Sequence, residues 1–391
     1  MSLVTERIEN NVLYLELNGR IDSSNAEQAE ELIKGIRQAH PELQSVLDAE
    51  NLEYLSSAGL RVILRMRRDV ADLKIINVGT EVYEILDMTG FTDMITVEKT
   101  FRRLSLDGCE LIAKGANGAI YRYDPETIVK IYHNGASLDE IRLEKDLCRK
   151  VFIKGINTAI PYDVVKVGDY YGSVAELLSA KSIAKLLRAD PESLEENVAI
   201  YTQLLKKIHE TPAKPGEMPS IKETGVDWVE FLKPYLPGEQ WEKLMTMMKA
   251  IPEPEFMIHG DYHANNVMIQ NGEPLLIDMD TVAYGHPVFE FAAIYLGFVG
   301  YYECNPAGSL DFYGLSHEVT AKIWETLMQQ YFEDESVRMD VARKAQVIGY
   351  ARMMRRTIRR NGLNTPDGQE VIALCKKRLE ELLPTVDQLH Y

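Results

Sequence analysis

Cysteine pairing, long apolar runs and excess basic charge are all missing from this sequence. Its four cysteines, Cys109, Cys148, Cys304 and Cys375, are far apart and form no Cys-x-x-Cys pair. That argues against a zinc site and against a disulfide framework, and it fits a reducing, cytoplasmic compartment. No eighteen-residue apolar run occurs, so no membrane-spanning helix is expected. The opening residues, MSLVTERIENN, lack an apolar signal core, and secretion is not expected. Net charge is −17, with excess acid on both sides of residue 103. Bulk charge therefore argues against nonspecific nucleic-acid binding and against docking on acidic membranes. Neither an internal repeat nor a low-complexity stretch is present.

What is present is an ordinary globular composition, 46% hydrophobic and 26% charged, over 391 residues. That length calls for two or three domains. In the first hundred residues short strands alternate with helices. VLYLEL (12–17) sets Leu13, Leu15 and Leu17 on one face. Ser24-Asn25-Ala26-Glu27 reads as a capping box opening a helix. LQSVLDA (43–49) and LKIINV (73–78) read as buried strands. Helices are expected in the second half of NLEYLSSAGLRVILRMRR and over TEVYEILDM (80–88). This order describes a small α/β domain over 1–103.

The pattern changes after residue 103. CELIAK and AIYRY are two strands around GANG (115–118), and TIVKIY (127–132) is a third. A helix capped by Ser137 follows, then a hairpin about Gly168-Asp169. From about residue 181 amphipathic helices dominate. The second region, 104–391, thus reads as α+β, with a strand-rich small lobe (104–180) and a helical lobe (181–391).

The chemistry concentrates in this second region. Phosphoryl transfer needs positioned charge more than covalent chemistry. Gly115 and Gly118 lie in a strand–turn–strand frame that suits close backbone approach to phosphates. Lys130 sits inside the apolar run IVKIY and requires counter-charge there. Glu140 serves the helix cap, and Glu144, one turn on, is the expected partner of Lys130. MIHGDYHANNVMI (257–269) places Asp261 five residues before Asn266, the spacing of a kinase catalytic loop. Asp278 follows in LLIDMD. Hard oxygen ligands beside phosphate suit Mg²⁺. Asp280 is either an extra ligand or a solvated neighbour, and the second is the preferred reading. ARMMRRTIRR (351–360) puts Arg352, Arg355, Arg356 and Arg359 on one helical face, which is either a surface for an anionic substrate or the acidic first domain or, the preferred reading, a solvated face with local pairs.

HGDYHANNVMI followed by LLIDMD resembles the aminoglycoside phosphotransferase and choline kinase-like family over roughly residues 109–391. The resemblance implies a protein-kinase-like bilobal fold. It also implies Asp261 as catalytic base, Asn266 and Asp278 as magnesium ligands and Lys130 on the ATP phosphates. His263 is then a structural hydrogen-bonding residue. The turn Asp278-Met279-Asp280 departs from the family's usual Asp-Phe-Gly or Asp-Trp-Glu. The later Gly-Asp-Pro pattern appears as Gly285-His286-Pro287 with Glu290.

NLEYLSSAGLRVIL resembles the signature of STAS domains, the fold of anti-sigma factor antagonists, over residues 1 to about 100. The match places the family's phosphorylated serine at Ser57. A phosphate at a helix N-terminus would meet free N–H groups and the positive dipole end. The alternative is that Ser56 and Ser57 only cap the helix. The resulting expectation is an ATP- and Mg²⁺-dependent kinase for a hydroxyl-bearing small molecule, fused to a regulatory domain that takes a protein partner. The alternative is a signalling kinase or nucleotide sensor in partner switching, with Ser57 as phosphosite.

Overall fold

The computed structural model describes residues 2–114, 118–132 and 138–391. The chain divides into two compact units, Met1–Asp107 with Val164–Tyr171, and Gly108–Asp163 with Gly172–Tyr391. Among the described residues no helix is long and apolar enough to cross a membrane. All four cysteines are free.

In the first unit five strands form one sheet in sequence order: Val4–Glu9, Val12–Ile21, Gln44–Leu55, Lys74–Val78 and Thr96–Lys99. The first pair is antiparallel and the rest are parallel. Leu13, Leu15 and Leu17 are buried, as period-two alternation requires. They share one core with Ile33, Leu60, Ile63, Met66, Val82 and Leu86 from the helices Ala26–Ala39, Ser57–Asp69 and Thr80–Met88. Each amphipathic helix thus buries its apolar stripe against the sheet.

The expected capping box does not form. The cap of Ala26–Ala39 is Asn25, which makes no side-chain cap bond. Asp22 takes the local donors instead: its Oδ1 accepts from the Ser24 hydroxyl at 2.6 Å and from the Ser24 N–H at 2.9 Å. The Ser24 side chain is thereby turned towards Asp22, and the helix begins one residue later than the box requires.

The second unit opens with antiparallel pairing of Glu110–Lys114 with Gly118–Arg122, of that strand with Thr127–Tyr132, and of Thr127–Tyr132 with Tyr170–Glu176. The helix Leu138–Ile153 follows the central strand. The expected cap Ser137 lies outside the described residues. The larger helical part is built on Leu194–Glu210, Ile221–Phe231, Gly238–Lys249, His317–Tyr331, Glu335–Arg359 and Pro366–Leu382. Short strands carry the functional loop. Met257–Ile258 pairs with Ala283–Tyr284, and Val267–Gln270 pairs with Glu273–Leu276. A single large core runs through this unit.

Candidate functional site

Lys130 lies at the centre of its sheet, flanked by paired strands on both sides. Val129 and Ile131 are buried on the opposite face. The Lys130 ammonium is thus largely removed from water and needs counter-charge. It has two carboxylates: Glu144 Oε1 at 2.7 Å and Asp278 Oδ1 at 3.1 Å. Burial alone would lower its pKa, but Asp278 and Glu144 outweigh burial and hold it above an ordinary lysine. Glu144 is itself fixed, because the Tyr132 hydroxyl donates to its Oε2 at 2.9 Å and lies 3.0 Å from Ser173 Oγ.

Gly118 faces the carbonyl of Ile131, where an added Cβ would stand 2.1 Å from that oxygen. The strand pair by itself therefore demands glycine here. Gly115 lies outside the described residues.

The loop from His259 to Asn266 is held from behind by Glu290. This carboxylate is fully buried. It accepts the N–H of His259 at 2.5 Å, of Gly260 at 3.0 Å and of Tyr262 at 3.4 Å. Burial opposes its charge, but His209 and His259, with the backbone N–H groups, hold its pKa below that of an ordinary glutamate. Gly260 adopts φ +81°, and an added Cβ would lie 2.4 Å from Thr281 O. His259 Nε2 donates to Ile277 O at 3.1 Å, and the His259 carbonyl accepts from Thr281 Oγ1 at 2.9 Å. The tight turn thereby presents Asp261 to the open side, with its side chain 38% exposed.

Asp261 is flanked by Arg352 Nη2 at 3.3 Å and His263 Nε2 at 3.6 Å. Burial would raise its pKa, but His263 and Arg352 reverse that and hold the carboxyl well below the usual range. Asn266 donates Nδ2 to Asp261 O at 3.1 Å, which leaves its amide oxygen as the atom able to ligate a cation. Asp278 has φ +65°, a left-handed conformation uncommon for a residue with a side chain. Asp280 is exposed at the rim. Among the described residues no three His, Cys, Asp or Glu side chains converge as a metal set. Mg²⁺ needs no such cage, because one or two protein oxygens plus phosphate commonly hold it. The Asn266 amide oxygen and the Asp278 carboxylate fit that demand.

In the first unit Ser56, not Ser57, caps the helix Ser57–Asp69. Its hydroxyl accepts from Ala58 N at 3.2 Å and Gly59 N at 3.5 Å. Ser57 begins the helix and is exposed.

Residues 108–309 match the model of the phosphotransferase enzyme family, more than half of the chain. The chain belongs to that family. Residues 3–104 match the STAS domain. The same region is 34% identical over 102 residues to a Bordetella bronchiseptica protein named as an anti-sigma factor antagonist, BtrV, covering 25% of this chain and 85% of the relative. The first region is a STAS domain, and the second has the phosphotransferase fold. Solved structures similar to the chain include a gentamicin complex of APH(2")-IIa, with TM-score 0.46, 15% identity, and 79% of this chain and 98% of that one covered. Another is a ternary complex of APH(4)-Ia with AMP-PNP and hygromycin B, with TM-score 0.49, 12% identity, and 71% and 93% covered.

Sequence reasoning missed one member of this phosphotransferase site. Arg352 is not on a solvated face: besides Asp261 it bonds Gly260 O at 2.7 Å through Nη1. Two signals were available, an arginine row in an acidic chain and the buried Met353 and Met354 beside it. They became decisive only when helix Glu335–Arg359 was packed beside the loop. Tyr132, which bonds Glu144, and Ser173, which bonds the Tyr132 hydroxyl, carried no signal beyond their place in strands.

Proposed function

We propose that this protein transfers the γ-phosphoryl group of ATP to the hydroxyl of a small molecule, with Mg²⁺, under the influence of its STAS domain. The observation that carries the reading is Lys130 bonded at once to Glu144 and Asp278 in the unit that contains Asp261. Lys130 neutralises phosphate charge. Asn266 and Asp278 would hold the cation, which when bound supplies charge neutralisation on the transferring phosphates. Asp261, ionised throughout the physiological range, accepts the hydrogen bond of the attacking hydroxyl and orients its oxygen. A carboxylate with so low a pKa is a weak base, so its main contribution is orientation, with the proton moving late. Arg352 fixes which oxygen of Asp261 faces the acceptor.

The exposure of Ser57, together with the cap on Ser56, favours a second role. Ser57 is a regulatory phosphosite whose charge would change how residues 1–103 meet a protein partner. Calorimetric titration with Mg-ATP tests the first reading. Binding is expected in the wild type and in Asp261→Asn and lost in Asp278→Ala; a wild type that binds no Mg-ATP refutes it. Intact-mass spectra with and without Mg-ATP, beside Ser57→Ala and Asp261→Ala, test the second. A phosphoryl gain lost in both variants makes Ser57 a substrate of its own chain. An unchanged mass directs the kinase outward.

A further inference from the structure

A cleft of about 360 Å³ opens beside the Asp261 loop, with Tyr301, Phe312, Met353, Arg356, Thr357 and Arg360 in its lining. The whole lining contains two arginines and no carboxylate. That is a local exception in a chain of net charge −17.

The cleft is joined to Asp261 on two sides. Phe312 meets the ring of His263 edge-on at 5.1 Å, and its carbonyl accepts from Asn265 Nδ2 at 2.9 Å. His263 in turn lies 3.6 Å from Asp261. On the other side runs helix Glu335–Arg359, where Arg352 touches Asp261 and Arg356 stands one turn further. A rise of about 1.5 Å per residue sets Arg356 roughly 6 Å and Arg360 roughly 12 Å beyond Arg352 along that axis. Arg356 Nη1 donates to the Tyr301 hydroxyl at 2.6 Å, so this guanidinium is positioned. Tyr301 and Phe312 pack edge to face, with ring centroids 5.4 Å apart, and offer an apolar wall. Burial and the charge of Arg356 both lower the Arg360 pKa, the mark of crowded cations.

We propose that this cleft seats the phosphoryl acceptor and that the acceptor is anionic. It is an alcohol of about monosaccharide size whose phosphate or carboxylate meets Arg356 and Arg360 while its hydroxyl reaches Asp261. The inference rests on the reading of Asp261 as the residue that receives the acceptor hydroxyl. Guanidinium groups match phosphate and carboxylate in charge and in fork geometry, and the aromatic wall covers a ring face. A cationic amino alcohol would meet like charge in the same place. In the transfer the acceptor oxygen bonds to the γ-phosphorus and the bond from that phosphorus to the β–γ bridging oxygen breaks. ADP leaves with that electron pair, and the hydroxyl proton passes to Asp261.

The test uses the full chain with Mg-ATP and matched acceptors: glucose, glucosamine, glucuronate and glucose 6-phosphate, with product read by mass spectrometry. An anionic member is expected to exceed its neutral and amino counterparts at least tenfold in kcat/KM. Arg356→Ala with Arg360→Ala is expected to erase that gap through KM, and Arg356→Lys to restore part of it. Preference for glucose or glucosamine, or an anion preference that survives the double variant, overturns the proposal. Should none be turned over, calorimetry of glucose 6-phosphate against glucosamine, on protein loaded with Mg²⁺ and a non-hydrolysable ATP analogue, decides by the same criterion. No anion preference there overturns it too. Failure of the kinase reading looks different: no Mg-ATP binding, whatever the cleft prefers.

Discussion

Replacing Glu290 by Gln changes one oxygen to an amide nitrogen at nearly constant volume. The wild-type carboxylate accepts three backbone N–H groups, two on Oε1 and one, from His259, on Oε2 at 2.5 Å. If the Gln oxygen keeps Gly260 and Tyr262, its NH₂ faces the His259 N–H, donor against donor. If the amide flips, two donors are stranded. The first arrangement is better, and it still loses a charge-assisted bond of about 1.5–3 kcal/mol and leaves a buried donor unpaired at about 1–3 kcal/mol. The predicted loss is about 3–5 kcal/mol. The loop carries Asp261, and a misplacement of about 1 Å is enough to lower turnover roughly 10²-fold. Urea unfolding followed by tryptophan fluorescence is the assay, because Trp228, Trp241 and Trp324 all lie in the phosphotransferase unit. A shift under about 1 kcal/mol with unchanged turnover would refute the view that Glu290 holds this loop.

Three further outcomes are expected. Gly260→Ala should destabilise the same unit by about 2–5 kcal/mol, from a disfavoured positive φ and a contact with Thr281 O; an unchanged urea midpoint would contradict it. Ser56→Ala should lower STAS-domain stability by about 0.5–2 kcal/mol through the lost cap, whereas Ser57→Ala should change it little. Equal losses in a thermal melt would mean that the cap is misassigned. His286 is buried, and burial lowers its pKa from 6.5 to about 4. Between those values the unfolded chain binds the extra proton, so stability is complete above about pH 6.5 and falls as pH drops towards 4. That amounts to about 3 kcal/mol, and urea titrations at pH 7 and 4.5 should show His286→Leu losing less on acidification than the wild type.

Much of the site was legible because its chemistry is local. Asp261 and Asn266 share one loop, and Lys130 and Glu144 each sit in a pattern that fixes which way the side chain turns. A lysine in an apolar strand must find a carboxylate, and Glu144 has the helical phase to meet it. The capping box failed locally too: the Ser24 hydroxyl donates to Asp22, just upstream, and Asn25 stands at the cap.

The sequence by itself determined the strand and helix periodicities, the two-part organisation and the order of the candidate site residues. These depend on neighbours within a few positions. Tertiary structure alone decided what stands behind and beside the loop. Glu290 grips its backbone across 31 residues, and Arg352 reaches it across 91. Asp278 meets Lys130 across 148 residues. No periodicity encodes such pairings, since they depend on how helices pack once their apolar faces are buried. The same packing brought Arg352 from an apparent solvated face to Asp261 and set Arg356 in the lining of the cleft beside it, while Arg359 stays exposed.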